Sequence, residues 1–244
     1  MLRERIEGKW IDCFAEVFTL CGVQAGDAVA ILSETQSRQI NVELAELALL
    51  RLAARPFHLT VPSPRLSAPA PVRSTGASDA LQRLQPVVTA LASSTMVVDL
   101  TVEGLLHAPE LPDILKGGAR LLMVSNEHPE VLERLMPDPA LEPKVKLGMR
   151  MLKEAKTMQV TSKSGTDLRI ALSGARVGGV WGYSTRPGSV THWPGGLCLA
   201  FPAAGSVNGT LVMAPGDVNL TFKRYLADAV RLTIENLSLI HISE

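Results

Sequence analysis

The chain has 244 residues, 46% hydrophobic and 20% charged, and its 24 basic and 24 acidic side chains leave no net charge. That length suits one large domain or two modest ones, and the neutral balance excludes the basic field that draws nucleic acid or an anionic membrane. Three cysteines, Cys13, Cys21 and Cys198, are odd in number and lack Cys-x-x-Cys spacing, which predicts free buried thiols in a reducing cytoplasm.

The opening MLRERIEGKW is charged and predicts no signal peptide, and the longest apolar runs are broken by charge, which predicts no membrane span. Residues 1–22 carry Trp10, Phe14, Val17, Phe18 and Cys21 at helical spacing, closed by Gly22. GDAVAILSE then reads as a buried strand, QINVELAELALLRLAA as a strong helix and RPFHLTVP as a second strand. SPRLSAPAPVRSTGAS reads as a surface loop, followed by a helix over 79–92. TMVVDL and ARLLMVS are further strands, each followed by a short helix, and LEPKVKLGMRMLKEAK is a longer helix.

Strands alternating with helices predict an α/β fold: a Rossmann-like parallel sheet domain over 1–156. No GxGxxG follows the first strand, which argues against a dinucleotide. After Lys156 the pattern changes to β-type segments, beginning with the hairpin MQVTSKSGTDLRIAL, so 157–244 reads as a β-rich second domain. AVRLTIEN alternates well, and Asn236 invites a turn. The closing SLIHISE resembles translated sequencing adapter, and the second domain is expected to be incomplete, although a true terminal strand is the alternative.

His58 lies inside a strand and His128 precedes Pro129 at a helix start, so packing and capping roles are expected; His241 is assigned none. His107 sits in DLTVEGLLHAPE, past the third strand and before a helix, where open α/β sheets collect ligand groups. A helix N-terminus favours a neutral imidazole able to accept a proton, and a capping role for His107 is the alternative. His192 and Trp193 stand side by side in SVTHWPGG, read as a loop shaped by Pro-Gly-Gly to face a planar ring, or else as a packed loop and a lid on the core. No metal-ligand cluster, HExxH or GxSxG is visible.

On the segments VVDLTVEGLLHAPELPDILKGGARLLMV, MQVTSKSGTDLRIAL, YSTRPGSVTHWPGG and GTLVMAPGDVNLTFKRY, the chain resembles the 2,5-dihydroxypyridine 5,6-dioxygenase family, related by fold to the aminopeptidase T (M29) metallopeptidases. The resemblance implies extradiol-like cleavage of a dihydroxylated pyridine ring at a mononuclear Fe(2+) centre, as in nicotinate and nicotine breakdown. Two histidines and an aspartate, expected beyond residue 244, would hold the metal. His107 matches the family's acid/base histidine and Leu106 its apolar neighbour; His192 matches the substrate-contacting histidine, with Trp193 beside it. Val180 stands where the family has an acidic residue, which leaves the choice of hydroxylated ring open. The expected partners are a small aromatic substrate, O2 and further copies of the chain, in the cytoplasm. An aminopeptidase T-like metallopeptidase and a catalytically incomplete fragment are the alternatives, and the cleft is expected between the two domains.

Overall fold

The structure is a computed structural model that describes residues 5–65 and 73–243. Part of the Pro/Ser-rich stretch, 66–72, lies outside the described residues, as does the His241 side chain. The first elements are α1 (Gly8–Leu20), β1 (Ala28–Glu34), α2 (Gln39–Arg51), β2 (Arg55–Val61), α3 (Gln85–Ala92), β3 (Met96–Asp99), α4 (Leu111–Lys116), β4 (Arg120–Val124), α5 (Pro129–Arg134) and α6 (Leu141–Glu154). Those after them are β5 (Thr157–Thr161), β6 (Asp167–Ala171), β7 (Arg176–Val180), β8 (Val190–Trp193), β9 (Leu197–Phe201), β10 (Val207–Met213), β11 (Val218–Asn219), β12 (Arg224–Tyr225), β13 (Val230–Glu235) and β14 (Ser238–Ser243).

The expected α/β architecture is present. A parallel five-stranded sheet runs in the order β2-β1-β3-β4-β8. Alternate residues of its strands feed two cores. Val29, Ile31, Val98, Leu122 and Trp193 pack with Phe14 and Phe18 of α1 and Leu44 and Leu49 of α2. Ala30, Leu32, Val97, Leu121 and Met123 pack on the other face with Leu91 of α3 and Ile114 of α4. This is why these strands read as continuous apolar runs: both faces are covered.

The chain divides differently from the 1–156 and 157–244 expectation. The first compact unit takes the described residues before 66, Arg73–Leu141 and Val180–Gly196; the second takes Glu142–Gly179 and the residues from Leu197 on. Two elements account for the difference. β8 leaves the β-rich half and pairs in parallel with β4, Leu121 opposite Val190 through Val124 opposite Trp193. α6 goes with the second unit, where its Gly148 and Val145 face Cys198; the Cys198 thiol donates to Val145 O at 3.3 Å.

The second unit carries an antiparallel sheet in the order β14-β13-β10-β6-β5, plus the two-stranded ribbons β7-β9 and β11-β12. The hairpin read at 158–172 is there, with Val160 opposite Leu168, but five residues rather than two separate its strands. Asn236 and Leu237, at φ 53° and 63°, turn β13 into β14, so the closing segment is a paired strand. The three cysteines are free, and among the described residues no helix is long and apolar enough to cross a membrane.

Candidate functional site

His107 is delivered by a loop that Asp99 folds. Asp99 ends β3 and is fully buried. Its Oδ1 accepts from Thr101 N at 3.0 Å and from Thr101 Oγ1 at 2.7 Å, and its Oδ2 accepts from Leu105 N at 2.7 Å. Burial pushes its carboxyl up to about 6, against the pull of those donors. Gly104 completes the turn at φ 82°, and a Cβ there would collide with Met123 Sδ.

A second segment braces the loop from outside. Ser74 N donates to Val102 O at 3.0 Å, Gly76 N to Glu103 O at 2.5 Å and Ser78 N to Gly104 O at 2.9 Å. His107 N returns a bond to Gly76 O at 2.6 Å. Gly76, at φ 80°, leaves room for Leu106, whose Cβ would lie 2.9 Å from any side chain there. Glu34, ending β1, accepts from Ser78 Oγ at 3.1 Å and Val102 N at 3.3 Å. Leu106 is half-buried against the α3/α4 core and His107 is exposed. α4 begins at Leu111, a full turn after His107.

His192 comes from a strand, not from the expected loop. It stands in register with Met123, which stands in register with Asp99, so the three side chains leave the sheet on one face, that of α3 and α4. The His192 ring is half-buried, and its Nδ1–H donates to Pro194 O at 2.5 Å. Burial lowers its pKa, against that hydrogen bond. With Nδ1–H given to Pro194 O, Nε2 is the ring's remaining polar atom.

Trp193 corrects the sequence reading. Successive strand residues point to opposite faces, so it cannot share a ring ligand with His192. It is completely buried in the α1/α2 core, edge-on to Phe14 at 5.1 Å, and its Nε1–H donates to Leu135 O at 2.8 Å. Pro-Gly-Gly follows the strand instead of interrupting it.

A second correction concerns the cleft: His107, Leu106 and His192 all belong to the first unit, not to two domains. Both histidines lie at the carboxyl end of one parallel sheet, where such folds bind ligands. His128 caps α5 as expected, accepting from Glu130 N at 3.2 Å, and His58 Nε2 lies 3.4 Å from Glu46 Oε2. Asp99, Glu34 and Gly76 were not singled out from the sequence; a carboxylate closing each of two apolar strands was the available signal. Among the described residues no three His, Cys, Asp or Glu side chains are grouped to hold a metal ion.

The chain is similar to known proteins along most of its length. The family model for 2,5-dihydroxypyridine 5,6-dioxygenase matches residues 9–243. A 2,5-dihydroxypyridine 5,6-dioxygenase from Pseudomonas putida is 33% identical over 226 residues, 91% of this chain and 63% of that protein's length. The solved structure of 2,5-dihydroxypyridine dioxygenase from Pseudomonas putida KT2440 matches with a TM-score of 0.83 at 30% identity, over 98% of this chain and 69% of that one. AmpT from Thermus thermophilus shares the fold, with a TM-score of 0.60 at 11% identity over 96% of this chain and 71% of its own, which bears out the expected relation of fold to the M29 group.

Proposed function

Because the chain belongs to the 2,5-dihydroxypyridine 5,6-dioxygenase family, we propose that it supplies the ring-binding and proton-transfer side of a dioxygenase that opens a dihydroxylated pyridine. One observation carries the reading. Two histidines from separate segments stand at the carboxyl end of the same sheet, and the Nδ1–H of one is held by Pro194 O. In this reading His192 Nε2 accepts a hydrogen bond from a ring hydroxyl. His107 accepts the proton that the second ring hydroxyl gives up as electron density moves into the ring. Leu106 forms the apolar wall beside it, which excludes water from the ring face. Trp193 drops out of the binding set and serves instead to fix β8 from behind.

The cofactor of the proposal is Fe(2+), which would activate O2 and hold both reactants. The described residues do not group into a ligand set for it. The metallopeptidase alternative has only the likeness of fold in its favour. Residence in the cytoplasm is supported by the three free thiols, and homo-oligomer formation by exposed Phe222 and Tyr225 on the second unit.

Calorimetric titration of the chain with 2,5-dihydroxypyridine tests the reading. Binding is expected, and His107→Ala and His192→Ala should each weaken it about tenfold, the effect of one lost hydrogen bond to a desolvated ligand. Equal affinity in wild type and both variants would show that the ring binds elsewhere or not at all.

A further inference from the structure

Residues 74–78 read Ser-Thr-Gly-Ala-Ser, three hydroxyl side chains around one glycine, and each hydroxyl is tied to a different part of the first unit. Ser74 Oγ accepts from Asn126 N at 2.8 Å, just past the end of β4. Thr75 Oγ1 donates to the Glu103 carboxylate in the β3–α4 loop. Ser78 Oγ donates to Glu34 Oε1 at 3.1 Å, at the end of β1. Glu34 and Glu103 are both buried, so the last two are charge-assisted bonds sheltered from water. With the main-chain bonds to the loop described above, the segment is a fixed strap across the base of His107.

Gly76 is the buried centre of the strap. A Cβ built on it would meet His107 Cδ2 at 3.2 Å and Leu106 Cδ1 at 3.4 Å, so its backbone lies against both side chains that the ring-binding reading uses. The His107 side chain is exposed, and among the described residues neither of its ring nitrogens has a hydrogen-bond or ion-pair partner. An exposed imidazole without a partner turns freely, yet a proton acceptor works only within hydrogen-bond reach of its donor. We infer that Gly76 is a positioning residue for His107: the strap holds the Cδ2 edge of the imidazole by contact and leaves both nitrogens without a protein partner. The inference rests on the ring-binding reading above. His192 is held the other way, by giving its Nδ1–H to Pro194 O, which leaves it one polar atom. A proton acceptor that must be regenerated needs both. The second ring hydroxyl gives its proton to one nitrogen, and the imidazolium so formed releases the proton on the other nitrogen to water, leaving a neutral ring. Glycine suits this place because a side chain at φ 80° would strain the backbone and push the imidazole away.

In the wild type, a nuclear Overhauser effect between the Gly76 Hα protons and His107 Hδ2 reads the contact directly and is expected to be strong. Gly76→Ala should shift the ring resonances of His107, leave those of His192 in place, and weaken binding of 2,5-dihydroxypyridine about tenfold in calorimetry, since the acceptor must then be ordered anew at each binding event. Ser78→Ala cuts the strap from Glu34 without adding an atom beside the imidazole. It should weaken the same Overhauser effect and lower affinity about threefold while thermal unfolding stays cooperative. If Gly76→Ala does not fold, the wild-type contact and Ser78→Ala decide. Absence of the Overhauser effect in the wild type overturns the inference, and so do unchanged His107 resonances and affinity in the folded variants. If His107→Ala weakens binding and the strap variants do not, only this inference fails. If His107→Ala leaves binding unchanged as well, the ring-binding reading falls with it.

Discussion

Burial lowers the pKa of His192 from the ordinary 6.5, so the unfolded chain takes up a proton at a higher pH than the folded one. Between the two values the unfolded state holds more protons, and stability rises with pH there. The contribution is complete above 6.5 and is lost as pH falls through the folded value. Asp99 runs the other way: raised from 3.8 to about 6, it contributes fully below 3.8, and that contribution is lost as pH rises through about 6. Urea denaturation of wild type and His192→Gln, taken downward in pH from neutral through 6.5, isolates the first effect because Asp99 is common to both. The wild type should lose stability relative to the variant; parallel curves would remove His192 from the linkage. His107 and His192 could be picked out in the sequence because histidine is scarce, His107 follows the third strand, and His192 stands beside Trp193 before Pro-Gly-Gly. The opposite facing of His192 and Trp193 could not, because Pro-Gly-Gly disguised VTHW as a loop.

The β3–α4 loop shows how an element can be built to carry one side chain. Asp99 gathers three donors, Gly104 lies flat against Met123, and the 74–78 segment closes over the top. Gly104→Ala introduces a Cβ at φ 82° and against Met123 Sδ, so it should cost about 2–5 kcal/mol from backbone strain and overpacking. Weakened binding of 2,5-dihydroxypyridine should accompany that loss, as the loop and His107 shift together. Unchanged stability in urea would show that the loop yields freely and does not position the ring. Most elements were legible because period 2 and period 3.6 separate cleanly in stretches such as AVAILSE and α1. Short elements were less so: the helix read at 79–92 forms only from Gln85, since Pro86 can occupy a first turn but not an interior one.

At the scale of the molecule, the parallel sheet is assembled from stretches that the chain does not present in sequence. β8 completes it with Trp193 filling the α1/α2 core, although Glu142–Gly179 intervene and belong to the other unit. A chain cut after residue 156, the boundary that composition suggests, should therefore fail to fold on its own. It exposes the edge of β4 and leaves the slot of a fully buried tryptophan open, a loss of about 3–5 kcal/mol for the side chain alone. Aggregation of that fragment, compared with a well-dispersed full chain in sedimentation, is the expected result; a stable monomer would show that β8 is dispensable. The boundary was misread because a shift from helices to strands is a local signal, whereas membership of a sheet depends on pairing between distant segments.

The late arrival of β8 also sets an order of events during synthesis. The loop that bears His107 can form as soon as β1 and β3 have paired, early in the emergence of the chain from the ribosome. His192 joins only after the whole intervening stretch has been made, and closing so long a loop is entropically slow. The nascent protein thus spends an interval with its parallel sheet one strand short.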